Sequence, residues 1–364
     1  MTIVNDVRKF IDSIDLSRLT RKKEKQYKIV FFGAGAIGGS VAAWLAPHHE
    51  HLYVLDREPI VGAMRRNGIT TYRGDKPDIK EHTAVKVIDD LAEAPDADVV
   101  VIAVKNYSLD AVAKLVRDKL GDRPIILAMQ NGVANQEILP QYFTKVVYCV
   151  VSYNAWMDEP VVIGYQKKGP LVIGTMFNEM MDEMADLAAI FNQGVETVIT
   201  DRYHDAAHCK LVINLTNSLT TLIGHKYRPL SDEGLFQKIL TNLTYEGMTI
   251  IKAAGYRESR LGGMPSWATF KMAVTLPPAM TKPLFDKNVK KMVLSSMAQD
   301  ILQRGAGQSE LEDINGYLLS LADRHGIKAP YNRAVYYIAR REFDKPKFEP
   351  MDIKDLWAEM SEWL

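Results

Sequence analysis

The chain has 364 residues, 47% of them hydrophobic and 25% charged, the composition of a globular protein long enough for two domains. Its 45 Lys and Arg balance 45 Asp and Glu, so no net field draws it to nucleic acid or to an anionic membrane. The two cysteines, Cys149 and Cys209, have no paired spacing, which excludes a disulfide framework or a zinc module, and no apolar run approaches the ~18 residues of a membrane span. The expectation is a soluble, cytoplasmic protein.

Residues 1–21 place Ile3, Val4, Val7, Phe10, Ile11 and Ile14 at helical spacing, followed by a charged stretch to residue 25. This N-terminal extension, 1–26, reads as an amphipathic helix packed on the body, with a subunit contact in a homodimer as the alternative. From 27 to 202, short β-rich runs at 28–32, 51–55, 85–88, 99–104, 124–128 and 146–152 alternate with helical patterns at 37–46, 59–67, 108–119 and 135–141. That alternation predicts a Rossmann-type, doubly wound parallel sheet. Further strands are expected at 161–165, 171–174 and 196–200, around a helix at 180–192. From 203 to 343 the texture is helical, with predicted helices at 206–222, 235–254, 289–303, 309–325 and 329–343. An all-helical second domain follows from it, then a C-terminal extension, 344–364, whose Leu356, Trp357, Met360 and Trp363 pack on the body.

The first strand runs into Gly33-Ala-Gly-Ala-Ile-Gly38, a G-x-G-x-x-G turn between strand and helix. Gly33 allows the tight turn, Gly35 lets backbone approach a pyrophosphate, and Gly38 permits close helix–strand packing. The backbone of Gly33, Ala34, Gly35, Ala36, Ile37 and Gly38 leads into a helix N-terminus suited to phosphate. Asp56 closes the next apolar run, where a ribose-binding carboxylate is expected. A dinucleotide site is the reading, against a structural glycine turn.

Two motifs stand at the carboxyl ends of later strands, Val104-Lys-Asn-Tyr107 with Lys105 and Met129-Gln-Asn-Gly132 with Asn131. In the helical half, Lys210, Asn214, Asn217 and Thr221 form one stripe on an otherwise apolar helix. A buried ammonium needs partners, so this stripe reads as the wall of a wet cleft rather than an ordinary solvated face. Ser309 and Glu312 form an S-x-x-E capping box, which makes Glu310 by pattern alone a first-turn acid. His48, His49 and His51 read as a solvated turn, and His204 and His208 lack a third ligand, so no metal site is expected.

In their order, GAGAIG at 33–38, VKNY at 104–107, QNG at 130–132, KLVIN at 210–214 and SSMAQD…SELEDINGY at 295–317 resemble the ketopantoate reductase (2-dehydropantoate 2-reductase) family over roughly residues 27 to 340. The resemblance implies NAD(P)H-dependent reduction of a small 2-oxo acid, ketopantoate to pantoate foremost. It makes Lys210 the proton donor and Glu310 an acid that contacts substrate and cofactor. Asn131 then lies between cofactor and substrate, Asn214 and Ser296 hold the oxo acid, Lys105 reaches the cofactor, and Ala155 offers a backbone contact. Where the family often has a second Asn, Ser218 stands; where another Asn contacts substrate, the sequence is Lys226-Tyr-Arg-Pro229, and Arg228 is the candidate grip on a carboxylate. Arg57 matches the family's arginine for the NADP 2′-phosphate, while Asp56 beside it would repel that phosphate. The reading leans to NAD(H), with NADP(H) open. The alternatives are a same-fold dehydrogenase for another 2-hydroxy acid or an opine, and a non-catalytic NAD(P)-binding regulatory protein.

Overall fold

The computed structural model describes residues 26–303, 305 and 309–364. The expected N-terminal helix and charged stretch therefore lie outside the described residues. Strands are β1 (Ile29–Phe32), β2 (Leu52–Leu55), β3 (Ile69–Arg73), β4 (Lys80–Thr83), β5 (Lys86–Val87), β6 (Val99–Ile102), β7 (Ile125–Ala128), β8 (Val146–Val151), β9 (Ala155–Glu159), β10 (Val162–Tyr165), β11 (Leu171–Gly174) and β12 (Thr197–Ile199). The longer helices of the first half are α1 (Ala36–Leu45), α2 (Ile60–Asn67), α3 (Leu109–Leu120) and α4 (Met181–Phe191). Those of the second half are α5 (Tyr203–Asn214), α6 (Thr216–Leu222), α7 (Glu233–Ala253), α8 (Trp267–Thr275), α9 (Pro278–Lys290), α10 (Tyr317–Arg324), α11 (Pro330–Phe343) and α12 (Ile353–Met360).

The main sheet has the order β12-β11-β8-β7-β6-β1-β2-β5. Its strands β6, β7 and β8 are apolar and buried throughout, as strands covered by helices on both faces must be. Neighbours pair in parallel except β8 with β11. The chain passes from β1 to neighbours on either side, β2 and β6, and a crevice opens at the carboxyl ends where the winding reverses.

Alternation along the strands feeds two cores. Ile29, Phe31, Val99 and Val101 face a core closed by Val41, Trp44, Leu187 and Phe191. Val30, Val100, Ile102, Tyr148 and Val150 face the other, which continues without a break into Tyr203, Leu211, Leu215, Ile239 and Leu318 of the helical half. The rings of Tyr148 and Tyr203 lie 5.4 Å apart at that seam. The C-terminal helix α12 joins the same core through Ile353, Leu356 and Met360.

A second sheet, β4-β3-β10-β9, was not legible except for β10. Strand β4 is Lys-Glu-His-Thr and almost wholly exposed, so it carries no apolar alternation to read. Trp156 of β9 lies flat over Gly164 and Gly74, where an added Cβ would fall 2.3 and 2.6 Å from the indole.

Three helical expectations change. The single helix expected at 206–222 is two segments meeting at Leu215, where Thr216 Oγ1 donates to Ile213 O at 2.8 Å and Ser218 Oγ to Leu215 O at 2.9 Å, competing with the helix ladder. The helix expected at 289–303 is interrupted: α9 ends at Lys290, and a new turn begins where Ser295 Oγ accepts from Ala298 N at 3.1 Å. The capping box at Ser309 and Glu312 does not form. Glu312 instead accepts from Tyr336 Oη at 2.6 Å and opens a π-helical turn, Glu312–Gly316, that leads into α10.

Gly33 has φ +105°, and a Cβ on Gly38 would fall 2.0 Å from Gly33 O, so the turn and α1 meet at contact distance. Replacing Gly38 by Ala is expected to cost about 1–3 kcal/mol of stability, read by urea unfolding, since the backbone itself must move. Unchanged stability in that variant contradicts this packing.

Candidate active site

The crevice at the carboxyl ends of β1, β6 and β7 is a cleft of ≈ 920 Å³ whose far wall belongs to the helical half. Gly33, Gly35, Ala36 and Ile37 line it. A Cβ on Gly35 would meet nothing within 4 Å, so the turn leaves open space for a ligand to approach backbone. Ala34 and Gly38 lie outside the lining: the Ala34 amide donates to Asp56 Oδ2 at 2.5 Å, and Gly38 serves packing. Asp56 also accepts from Arg57 N at 2.7 Å through Oδ1, which fixes its carboxylate beside the turn. Arg57 is exposed at the same end of the cleft.

Lys105 follows β6 and Asn131 follows β7, as the motif positions imply. Gln130, buried, donates to Ile102 O at 2.7 Å and stiffens the two loops. Asn131 O accepts from Asn106 Nδ2 at 2.8 Å, which holds the residue at the cleft floor. Ala155 opens β9 and lines the cleft beside Asn154.

From the helical half, α5 presents Lys210 and Asn214, and Asn217 and Thr220 of α6 continue the wall. Lys210 is half-buried, and its ammonium has no ion pair or hydrogen bond among the described residues. Desolvation lowers its pKa to about 8, with the positive charge of Lys167 acting in the same direction. Asn214 is 6% exposed and its Nδ2 has no partner among the described residues. These two orphaned polar groups, one turn apart, form an incomplete hydrogen-bonding surface. Ser296 begins the next wall, held because Ser295 Oγ, which accepts from Ala298 N, can donate to Thr221 Oγ1 at 3.2 Å.

Opposite Lys210 in character is Lys105. Its Nζ lies 2.6 Å from Asp300 Oδ2 and 4.0 Å from Glu310 Oε2. Burial alone would lower the Lys105 pKa, but Glu310 and Asp300 outweigh it and raise it. Glu310 is 4% exposed and accepts from Asn131 Nδ2 at 3.4 Å. Its carboxyl is raised above the ordinary value, by desolvation first, with Lys105 opposing.

Of the residues assigned from sequence to catalysis, substrate or cofactor, thirteen line this one cleft: Gly33, Gly35, Ala36, Ile37, Asp56, Arg57, Lys105, Asn131, Ala155, Lys210, Asn214, Ser296 and Glu310. Four do not: Ala34 and Gly38, placed above, and Ser218 and Arg228, whose expected substrate roles are corrected. Ser218 is fully buried, donating to Leu215 O and accepting from Asn315 Nδ2 at 3.0 Å. Arg228 is exposed and donates to Ile223 O at 3.3 Å, in a turn near Pro350 and away from the cleft. The sequence reading left Asp300 and Thr220 unassigned; the signal for Asp300 was its place in SSMAQD. His208 is buried with its ring stacked on Tyr256 at 3.5 Å, and no group of His, Cys, Asp or Glu among the described residues could hold a metal ion.

A glycine turn at the switch point of a mostly parallel sheet, with a lysine-bearing helical wall across from it, defines a dinucleotide-fold oxidoreductase. The model of the family "Ketopantoate reductase PanE/ApbA" matches residues 29–178, and that of "Ketopantoate reductase PanE/ApbA C terminal" matches residues 202–342. The chain belongs to the ketopantoate reductase family. The 2-dehydropantoate 2-reductase of Pyrococcus abyssi is 24% identical over 313 residues, 85% of this chain and 95% of that one. The solved PanE/ApbA family ketopantoate reductase of Ralstonia eutropha is 26% identical with a TM-score of 0.69, covering 87% of this chain and 99% of the other. A D-mandelate dehydrogenase, solved with NADH and anilino(oxo)acetate, shares the fold at 16% identity, with a TM-score of 0.70 over 87% of this chain and 99% of its own.

A buried cation without a counter-ion opposes folding. Lys210 titrates lower in the folded state (about 8) than unfolded (10.5), a penalty on the order of 3 kcal/mol, complete below pH 8 and relieved between 8 and 10.5. Lys210→Met is therefore expected to raise the melting temperature at pH 7 and to narrow that gain at pH 10, by calorimetry. A lower melting temperature at both pH values rules this out.

Proposed function

We propose that the protein reduces a small 2-oxo acid, 2-dehydropantoate to pantoate foremost, with hydride from NADH or NADPH and a proton from Lys210. The observation that carries this is the partnerless Lys210 ammonium facing the cleft beside the unpaired Asn214 amide. The residues present suit a dinucleotide: the open space at Gly35 and the fixed Asp56 carboxylate match a pyrophosphate and a ribose hydroxyl. When bound, the nicotinamide supplies the hydride. The chain does the rest. As negative charge grows on the carbonyl oxygen, the Lys210 ammonium stabilises it and transfers its proton. Asn214 and Ser296 hold the oxo acid, and Asn131 and Glu310 separate substrate from cofactor at the cleft floor.

Asp56 supports a preference for NADH, because its carboxylate is held at the turn where a 2′-phosphate would stand, whereas Arg57 is exposed and screened. We read residues 27–202 as the cofactor-binding part and 203–343 as the substrate part. A second reading keeps the reaction and changes the acid. With Ser218 and Arg228 outside the cleft, Asn217 and Thr220 are the groups left for the substrate's distal end.

Purified protein is expected to oxidise NADH faster than NADPH at equal low concentrations when given 2-dehydropantoate or a related 2-oxo acid. Cofactor binding without turnover on any such acid defeats the proposal. Lys210→Ala should lower kcat by roughly 10²–10⁴-fold while cofactor Kd stays nearly constant. Reduction requires protonated Lys210, so kcat/KM should be level below pH 8 and fall above it, and this limb should be absent in the Ala variant. Gly35→Ala is expected to preserve stability but weaken NADH binding roughly tenfold or more, by fluorescence titration.

A further inference from the structure

The stretch 291–295, between α9 and the turn that begins at Ser296, is a non-helical strap along one wall of the cleft, with Met292, Val293, Leu294 and Ser295 in the lining. Glutamine amides hold it near both ends. From within the helical half, the buried Gln299 donates through Nε2 to Leu294 O at 3.1 Å, and Ser295 Oγ lies 3.2 Å from Thr221 Oγ1 of α6. From the first half, Gln166 donates through Nε2 to Lys291 O at 2.7 Å. Among the described residues this is the one hydrogen bond that reaches the strap from the first half. Met292 also leans on the helical core, but an apolar contact is non-directional and leaves the strap's register to its hydrogen bonds. Gln166 is itself placed by Asn154. The two stand opposite each other just past the last β9–β10 pair, Ala155 with Tyr165. Gln166 N donates to Asn154 O at 3.0 Å, and Asn154 Nδ2 donates to Gln166 Oε1 at 3.1 Å. One planar amide thus has its acceptor end committed to Asn154, which aims its donor end at Lys291.

We propose that Gln166 is a positioning residue for the oxo-acid site: held by Asn154, it fixes the strap 291–295 and with it the place of Ser296 in the cleft wall. This rests on the reading of Ser296 as a group that holds the substrate. Ser296 follows the strap directly and opens a short turn whose cap is Ser295 Oγ, so the strap's path sets where that turn starts. Releasing Lys291 O gives residues 292–295 more conformations, and Ser296 with them. A bound oxo acid then has to order the strap itself, a cost that appears in its affinity rather than in the chemical step. Lys210 and Asn214 stand on α5, and the glycine turn stands between β1 and α1. No hydrogen bond among the described residues joins Gln166 to either place, so proton transfer and cofactor binding keep their geometry.

The test joins limited proteolysis to kinetics in Gln166→Ala and Gln166→Glu; the second keeps the length and the acceptor for Asn154 but has no N–H for Lys291 O. Lys291 is exposed, and Gln166 donates to the carbonyl of the very bond that trypsin cuts, Lys291–Met292. In native protein, cleavage there, read by mass spectrometry, should quicken roughly 2–10-fold in both variants, the worth of one net hydrogen bond. Cleavage after the exposed Lys347 should stay constant and serves as the reference. KM for the oxo acid should rise by a similar factor, with kcat and the NADH Kd changing by about twofold at most. Asn154→Ala should give a smaller rise, and the double variant no more than Gln166→Ala, because both act through one amide. Unchanged cleavage after Lys291 in both Gln166 variants overturns the proposal, and so does faster cleavage with an unchanged KM. Proteolysis needs neither cofactor nor turnover, so a strap that Gln166 does not tether is distinguishable from failure of the proposed reaction.

Discussion

Desolvation of charge is the constraint around which the cleft is built. Two lysines sit on opposite walls in opposite states. Lys105 is compensated by two carboxylates and pushed towards permanent charge, while Lys210 has no counter-ion among the described residues and is pushed towards giving its proton up. A folded chain retains an uncompensated cation only where something in its working cycle supplies the missing negative charge. In the proposed reaction an anionic oxo acid would do so, and so would the oxyanion formed as its carbonyl is reduced. The unpaired Asn214 amide one turn away has the same explanation. Stability given up by the uncompensated ammonium would return, in the proposed reaction, as affinity for an anionic group beside it.

Much of this was legible in the sequence because the signals are local. The glycine turn sits between strand and helix, Lys105 and Asn131 follow apolar runs, and the Lys210–Asn214 stripe is a matter of helical spacing. What the sequence did not disclose was pairing. Nothing in the spacing of Glu310 and Asp300 says that both come within reach of the Lys105 ammonium. Ser218 and Arg228 show the converse. Each has a residue type suited to binding, but Ser218 is spent on a helix kink and on Asn315, and Arg228 turns to the Ile223 carbonyl. The small sheet was missed because β4 is polar and almost wholly exposed and β3 mixes apolar, polar and charged residues, so neither carries the alternation that marks a half-buried strand.

The substrate wall is also where the chain departs most from regular helix. The break at Leu215, the non-helical stretch 291–295 and the π-helical turns at Gln299–Gln303 and Glu312–Gly316 all border or support the cleft. Asn217, Ser296, Asp300 and Glu310, all of which line the cleft, lie in or close to these irregular stretches. Irregularity of this kind is common at functional sites.

The unbroken core has a mechanical consequence. Val30, Ile102 and Tyr148 of the sheet belong to the same packed cluster as Tyr203, Leu211 and Leu318 of the helices. A rigid-body swing of one half against the other would expose that seam to water, and at ~25 cal/mol per Å² even a modest gap outweighs thermal energy. The rim is held more lightly: beside the cleft-lining stretch 292–295, Gln166 Nε2 donates to Lys291 O at 2.7 Å. A neutral hydrogen bond between two loops contributes on the order of 1 kcal/mol, so this contact resists separation far less than the apolar seam beneath it.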